Sequence, residues 1–237
     1  MRVLYQATLL LVFFAASALA NDGYEVSGAA YNLKTGKLAY RELFTKLDVN
    51  GLVQVNYVKP DGSIFARKKL NYATEVFQPG MELTDDRDAE LVSATFDAGR
   101  LLLTHKKKGD SQTKTLYDTA KLVIDAGVDA FIQLQWVKIT AGKKVEFDVA
   151  DARNLGIEKF VIKEIDSSVS PLAYKGAAET WKYFRVDTAN KLSSIFGEPI
   201  YYAYDPDGKY LMRYQGRANI DNDASEAWSV RIEYEYF

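Results

Sequence analysis

Glycine-containing turns divide much of this sequence into short runs of β-forming residues. Three such turns stand between β-rich runs, at Asn32–Gly36, Lys59–Gly62 and Asp205–Gly208. In the last two, the Pro ring fixes the φ angle at the first turn position, and the Asp side chain hydrogen-bonds the nearby backbone. Gly takes a left-handed conformation that other residues resist. Each turn therefore predicts a β-hairpin.

The runs beside the turns alternate in polarity or are rich in β-branched and aromatic residues. Leu52–Val58 and Trp181–Val186 are examples. This pattern predicts about ten to twelve strands. In the final strand, the pattern predicts that one face is buried, formed by Val230, Ile232, Tyr234 and Tyr236.

One segment departs from the strand pattern. Between Asp125 and Ala141 the spacing i, i+3, i+4, i+7, i+8, i+11 is occupied by Val128, Phe131, Ile132, Gln135, Trp136 and Ile139. This spacing predicts one amphipathic helix, with Asp125 able to cap its start and Gly142 able to end it. A shorter helix is predicted over Ala189–Phe196, before Gly197 and Pro199.

Short strands joined by hairpins imply an antiparallel sheet, and a long helix with one apolar face needs a surface to pack on. The sequence therefore predicts a mainly β (α+β) chain with a single domain over residues 21–237. The sheet is expected to be strongly curved, or a half-barrel, and to pack on one long and one short helix.

The first twenty residues have the composition of a secretory signal peptide. Arg2 supplies a positive charge near the start, Leu9–Ala16 is apolar, and Ala18–Ala20 forms a small-x-small site. Cleavage is expected between Ala20 and Asn21, with an uncleaved anchor helix as the alternative. Without Cys at this site or elsewhere, a lipid anchor is not expected and disulfides are excluded, so a Gram-negative periplasmic location fits best.

The charge balance and two rare residue types limit the chemistry of the chain. With 30 Lys and Arg against 32 Asp and Glu, the chain lacks the basic footprint of nucleic-acid binding. No Cys and one His exclude thiolate metal sites and sites built from several imidazoles. No cofactor, metal or nucleic-acid partner is therefore expected, and no later segment is expected to span a membrane as a helix.

No catalytic constellation stands out. His105 precedes Lys106–Lys108 in a polar segment, where a surface histidine at a solvated hairpin end is expected. Asp221–Glu226 lacks the central Gly of a calcium loop and is expected to be an acidic turn between strands. Asp125 and Asp129 share a helix face, where capping explains them better than two-carboxylate chemistry. We predict no catalytic residue.

Two aromatic residues of the predicted helix are the candidate ligand contacts. Phe131 and Trp136 lie on its apolar face, where they could line a cavity beneath the sheet. Aromatic residues at helical spacing also pack in ordinary cores, so this alternative stays open.

Two stretches carry a resemblance to other proteins. The first is Leu122–Ile132 with Trp136, Gly142 and Val145–Phe147, and the second contains Leu211, Tyr214–Gly216, Ala218–Ile220 and Val230–Tyr234. Together they resemble a family of uncharacterised secreted proteobacterial proteins, with motifs that are structural. The layout also distantly resembles lipoprotein carriers of the LolA/LolB type, in which a curved sheet covers an apolar cavity, and this implies lipid binding.

Three functions are compatible with the sequence. The first is a non-enzymatic periplasmic binding or carrier protein that holds an apolar or amphiphilic ligand between the sheet and the helix. The second is a structural or interaction module of the cell envelope with a protein partner. The third is a glycan hydrolase that uses two opposed carboxylates in a cleft.

Overall fold

Strands dominate the fold. A computed structural model describes residues 23–73, 75–117, 119, 121–189 and 198–237. Fifteen strands are present in these residues. They are β1 Tyr24–Asn32, β2 Leu38–Thr45, β3 Leu52–Val58, β4 Ile64–Asn71, β5 Gly80–Asp85, β6 Glu90–Asp97, β7 Arg100–Lys107, β8 Asp110–Leu116, β9 Leu122–Ile124, β10 Val145–Asp151, β11 Gly156–Ile165, β12 Lys182–Thr188, β13 Ile200–Tyr204, β14 Leu211–Asp221 and β15 Ala227–Tyr236.

The three predicted hairpins are confirmed. They join β1 to β2, β3 to β4 and β13 to β14, and each pair is antiparallel. Gly62 and Gly208 have φ angles of 90° and 74°, in the left-handed region. The acidic turn between β14 and β15 is confirmed as well, and the Asn222 side chain accepts hydrogen bonds from two backbone N–H groups within it.

The strand number exceeds the ten to twelve that the sequence predicts. β9 has three residues, too few for an alternating pattern to be recognised. β8 is polar and exposed along most of its length, because it lies at an edge of the sheet and has no buried face there. Neither strand carries the alternating pattern on which the prediction depends.

All fifteen strands belong to one sheet, in the order β8-β7-β6-β5-β4-β3-β2-β1-β15-β14-β13-β12-β11-β10-β9. Adjacent strands are antiparallel except β9 and β10, which are parallel. Glu90 on β6 and Arg153 after β10 lie eleven strand spacings apart in this order, about 50 Å in a flat sheet. Their side chains are nevertheless 2.7 Å apart. The sheet is therefore rolled on itself, as the predicted strong curvature requires.

The segment before β5 contacts β9, the strand at one edge of the sheet. The backbone N–H of Ile124 donates to the carbonyl of Phe77, and the Gln78 side chain donates to the carbonyls of Thr119 and Leu122. Gln78 is 7% exposed, so these bonds satisfy an amide that would otherwise be costly to bury. This seam joins the two halves of the sheet.

The predicted long helix is wrong in its extent. The structure has two short helices instead, α1 Gly127–Leu134 and α2 Trp136–Thr140, separated at Gln135. The break lets Trp136 pack against the side of the sheet formed by β12 and β13, where it contacts Phe184 and Tyr204. Gly142 follows α2 with a φ of 80°, as predicted for the helix end.

Asp125 does not cap the helix with its side chain. The N-cap is Ala126, without a side-chain cap hydrogen bond, and the Asp125 carboxylate is bound by Lys68 instead. Tertiary contacts have overridden the local preference for a cap.

The predicted signal peptide and the predicted helix over Ala189–Phe196, apart from Ala189 itself, lie outside the described residues.

Neither helix in the described part of the chain is long and apolar enough to cross a membrane.

The predicted buried face of β15 is largely confirmed, because Val230 and Ile232 are buried and Tyr234 is partly buried. Tyr236 departs from the prediction and is 37% exposed, because β15 ends there at the edge of the fold.

The seam leaves no space for a side chain at the start of α1. A Cβ atom at Gly127 would lie 2.2 Å from the Phe77 carbonyl oxygen, and this neighbour is backbone. We expect Gly127→Ala to lower the free energy of unfolding by about 3 kcal/mol, at the upper end of overpacking costs. Urea denaturation monitored by circular dichroism measures the change.

Gly80→Ala is the matched control, since a Cβ there has only ordinary contacts at 3.7 Å and beyond. Its effect is expected to stay below about 1 kcal/mol. Equal effects of the two substitutions would contradict the tight seam.

Candidate functional site

The rolled sheet surrounds a cavity of about 510 Å³. Its wall is mostly apolar and comes from both halves of the sheet and from the start of α1. Val53, Leu83 and Ile232 contribute from one side, and Phe147 and Ile200 from the other. The cavity therefore lies between the concave face of the sheet and the helix, where the sequence places a ligand.

One end of the cavity reaches the protein surface. Leu47, which is 51% exposed, and Glu25, which is also exposed, belong to its lining. We call this the open end; the loops that follow β2, β4 and β13 lie there, together with α1 and α2. Large apolar side chains are exposed on these elements, namely Leu47, Val49, Val76, Leu134, Val137 and Tyr210.

The opposite end carries a charged cluster of Asp88, Glu90, Lys107, Arg153 and Asp221. Arg153 Nη1 lies 2.7 Å from Glu90 Oε1 and 3.1 Å from Asp221 Oδ2. Lys107 Nζ lies 3.1 Å from Asp221 Oδ2 and 3.3 Å from Asp88 Oδ2. These ion pairs connect four turns of the sheet, and Arg153 also lines the cavity.

His105 and its lysine neighbours belong to this charged end. His105 is only 25% exposed, and its Nε2 lies 2.8 Å from Glu90 Oε1. The expected solvated surroundings of His105 are therefore wrong, because Glu90 lies beside it on the neighbouring strand β6, and rolling of the sheet brings Arg153, in the turn after β10, to the same carboxylate. Lys108 remains 65% exposed.

A buried ion pair crosses the interior. Lys68 Nζ on β4 lies 2.8 Å from Asp125 Oδ2, which directly follows β9, and both side chains are nearly inaccessible to solvent. Burial raises the pKa of Asp125, but the charge of the Lys68 ammonium, together with hydrogen bonds from Lys68, the Ala126 backbone and Asn219, holds this pKa below its ordinary value. Both residues therefore stay charged.

Asp125 is held by a second contact. Its Oδ1 accepts a hydrogen bond of 3.3 Å from the Asn219 amide, and Asn219 Oδ1 accepts one of 3.0 Å from the Tyr57 hydroxyl. Asp125 also has a φ of 44°, in a region that non-glycine residues rarely adopt. Such backbone strain persists only where surrounding contacts over-determine the conformation, as they do here.

Glu42 is the other carboxyl at the centre of the cavity wall. Glu42 is 6% exposed. Among the described residues, the Tyr234 hydroxyl donates a long hydrogen bond of 3.4 Å to its Oε2. Gly28 lies between them on β1, paired with both, and a Cβ there would come within 2.8 Å of the Tyr234 ring. Gly28 thus lets Tyr234 reach across β1 to Glu42.

The pKa of Glu42 lies far from its ordinary value of 4.5. Burial raises the pKa to about 7, the Lys68 ammonium opposes the rise, and the Asp125 carboxylate adds to it. This carboxyl can therefore gain or lose a proton near neutral pH.

Asp129, on α1, also lines the cavity. Tyr204 donates a hydrogen bond of 2.6 Å to its Oδ1, and Gln133 donates one of 3.2 Å to its Oδ2. Burial raises the pKa of Asp129, and these two neutral donors oppose the rise. Asp129 therefore lies in the first turn of α1, as predicted, but also forms part of the cavity wall, which a role at the helix start alone does not explain.

The predicted ligand contacts Phe131 and Trp136 are outside the lining of this cavity. Phe131 stacks on Phe147 at 4.8 Å between ring centroids, so it supports the cavity wall from behind, and it lines a second hollow of about 360 Å³. Trp136 packs edge-on against Phe184 and Tyr204. Ligand contact by either residue stays a prediction.

Glu42 and Lys68 are not among the site residues predicted from the sequence. A signal for both exists, because Glu42 alternates with Tyr40 and Phe44 on one face of β2, and Lys68 has the same phase as Leu70 on β4. A charged residue in the phase of the buried side chains marks an interior charge. Within the described residues, no group of three or more His, Cys, Asp or Glu side chains could hold a metal ion.

Comparisons with known proteins give a structural neighbour and no family. No protein-family model and no curated protein sequence matches the chain. Among solved structures, the chain is similar to a β-barrel-like protein of domain of unknown function DUF1849 from Brucella abortus. The identity is 10%, the TM-score is 0.45, and the match covers 90% of this chain and 98% of that one. This similarity is too low to transfer a function or a ligand.

The raised pKa of Glu42 predicts a pH-dependent stability. Between about pH 4.5 and 7 the folded protein retains a proton that the unfolded chain has released, so this group makes stability fall as pH rises. Glu42→Gln removes the effect. We expect the stability of this variant, relative to the wild type, to rise by about 3 kcal/mol between pH 4 and pH 8.

Urea denaturation at the two pH values measures this difference. Glu235→Gln, which changes an exposed carboxyl on β15, is the control. A relative stability of Glu42→Gln that is the same at both pH values would contradict the burial of an ionisable carboxyl at this position.

Proposed function

We propose that the protein binds an amphiphilic small molecule in the cavity and acts as a binding or carrier protein without catalysis. The observation that carries this proposal is a mostly apolar cavity of about 510 Å³ with a few buried polar groups in its wall. Pockets for small organic ligands typically measure about 300–1,000 Å³ and combine apolar walls with a few convergent polar groups.

The lining supports an assignment of each part of the ligand to a part of the cavity. Val53, Phe44 and Leu70 lie towards the open end and suit an apolar chain. Glu42 and Lys68 lie deeper and suit a polar group. This arrangement supports an amphiphile over a purely apolar ligand, because an apolar ligand alone would leave the buried polar groups without partners.

The exposed apolar side chains of the open end support the same function. Leu47 lines the cavity and Val49 is fully exposed in the same loop. Apolar groups at the entrance give an amphiphile a continuous apolar path into the cavity, and large exposed apolar patches commonly mark binding sites. The lipoprotein-carrier resemblance of the sequence, which rests on layout, is compatible with this proposal.

A residue that fills the cavity should block the ligand. Val53 on β3 lines the cavity, whereas the preceding Leu52 faces outward and is 41% exposed. We expect Val53→Trp to weaken the saturable binding of a fluorescent fatty-chain probe at least tenfold, and Leu52→Trp to leave it within about twofold. Fluorescence titration measures both variants, and circular dichroism checks that they fold.

Equal binding by the two variants would place the probe outside the cavity and contradict the proposal. Absence of saturable binding to the wild-type protein would contradict it as well.

We also propose that the protein is exported to the periplasm and cleaved between Ala20 and Asn21. The support is the arrangement of charge, apolar run and small residues in the first twenty residues. Intact mass spectrometry of protein purified from the periplasm is expected to give the mass of residues 21–237. A mass that includes Met1–Ala20 would contradict cleavage.

A further inference from the structure

We propose that the polar group of the ligand is an organic cation, such as an alkylammonium group, and that the Glu42 carboxylate binds it. This inference rests on the proposed function, because it names the chemical class of ligand that the same cavity takes.

The first support is the charge balance of the lining. Six carboxyl groups line the cavity against three basic side chains, which are Lys68, Arg153 and Arg217. Lys68 is already paired with Asp125, and Arg153 is paired with Glu90 and Asp221 at the charged end. Glu42 forms no ion pair with any residue that the structure describes, and the cation that acts on it, Lys68, is paired with Asp125.

The second support is the unused hydrogen-bonding capacity of Glu42. A carboxylate can accept about four hydrogen bonds. Among the described residues, Glu42 has one partner, the Tyr234 hydroxyl at 3.4 Å. Asp129 differs, since Tyr204 and Gln133 each donate to one of its oxygens. Glu42 is therefore the carboxyl with room for a donor from a ligand, and an ammonium group supplies up to three donors.

The third support is the cost of the opposite charge. A ligand carboxylate or phosphate at this place would face Glu42 and Asp125, and the cation nearest to it, Lys68, is 2.8 Å from Asp125. An anion would have to share Lys68 with Asp125, and the negative charges of Glu42 and Asp125 would repel it. An ammonium group instead neutralises the carboxyl that lacks a cation.

The charged and titratable groups around Glu42 set its pH dependence. They are Lys68 on β4, Asp125 after β9, Tyr40 on β2, Tyr57 on β3, Tyr214 on β14 and Tyr234 on β15. The tyrosines have raised pKa values, chiefly through burial, and stay neutral near pH 7. Because a cation binds the ionised carboxylate, its binding lowers the pKa of Glu42, and affinity should increase as pH rises from 6 to 8.

Three ligands with the same alkyl chain test the inference. Dodecylamine is cationic near neutral pH, dodecanol is neutral and lauric acid is anionic. Each ligand is titrated, below its own critical micelle concentration, into the wild-type protein carrying a fluorescent fatty-chain probe. Displacement of the probe gives the affinity of the ligand. We expect dodecylamine to bind at least tenfold more tightly than the other two, with an affinity that increases between pH 6 and pH 8.

Variants assign the preference to one carboxyl. Glu42→Gln is expected to lose the preference for dodecylamine and its pH dependence, while its affinity for dodecanol changes less than threefold. Glu158→Gln is the matched control, because Glu158 also lines the cavity but is only partly buried, whereas Glu42 is buried. It is expected to retain the preference.

The outcomes separate this inference from the proposed function. If all three ligands bind with similar affinity, or lauric acid binds best, the cation inference is overturned while binding in the cavity stands. If none of them binds with saturation, the proposed function fails. A preference for dodecylamine that persists in Glu42→Gln would assign the cation to another group and overturn the inference.

Discussion

The Lys68–Asp125 ion pair is the contact on which the interior of this protein depends. Lys68 is on β4 and Asp125 directly follows β9, ten strand spacings apart in the sheet, yet their charged atoms are 2.8 Å apart. Removing one partner of a buried pair typically costs about 3–5 kcal/mol, because the other charge is left without compensation. The pair therefore favours the rolled arrangement over any flatter sheet that would separate the two charges.

The pair does not by itself account for stability, since desolvation offsets much of the attraction between buried charges. The rolled sheet is stabilised by its apolar faces, among them the fully buried Leu101, Leu103 and Ile162. Against this background Glu42 is costly, because burial disfavours its charged form and the nearby Lys68 ammonium, which is paired with Asp125, only partly offsets this. A carboxyl kept in such surroundings is typical of a functional site, where a ligand supplies the missing partner.

Local chemistry explains which parts of the fold the sequence predicts. The hairpins at Lys59–Gly62 and Asp205–Gly208 are predictable because Pro, Asp and Gly determine the turn without help from the rest of the chain. The break at Gln135 is not, because it depends on how Trp136 packs against Phe184 and Tyr204. The capping role of Asp125 was wrong for the same reason, since its partner Lys68 is distant in sequence.

The candidate site was predictable in its position but not in its residues. The sequence predicts a ligand between the curved sheet and the helix; the structure has a cavity there, and ligand binding in it stays a prediction. The proximity of Glu42, Lys68 and Asp125 depends on strand register and on the rolling of the sheet, which no local pattern encodes. The phase of Glu42 with Tyr40 and Phe44 would have marked an interior charge, but not its neighbours.

The proposed binding depends most on a hollow interior in which Glu42 is available to a ligand. A crystal structure of the protein grown with dodecylamine tests this directly. We expect the alkyl chain inside the cavity, beside Val53 and Leu70, with its nitrogen within hydrogen-bonding distance of the Glu42 carboxylate. An interior filled by the protein's own side chains, with the amine bound elsewhere or absent, would contradict it.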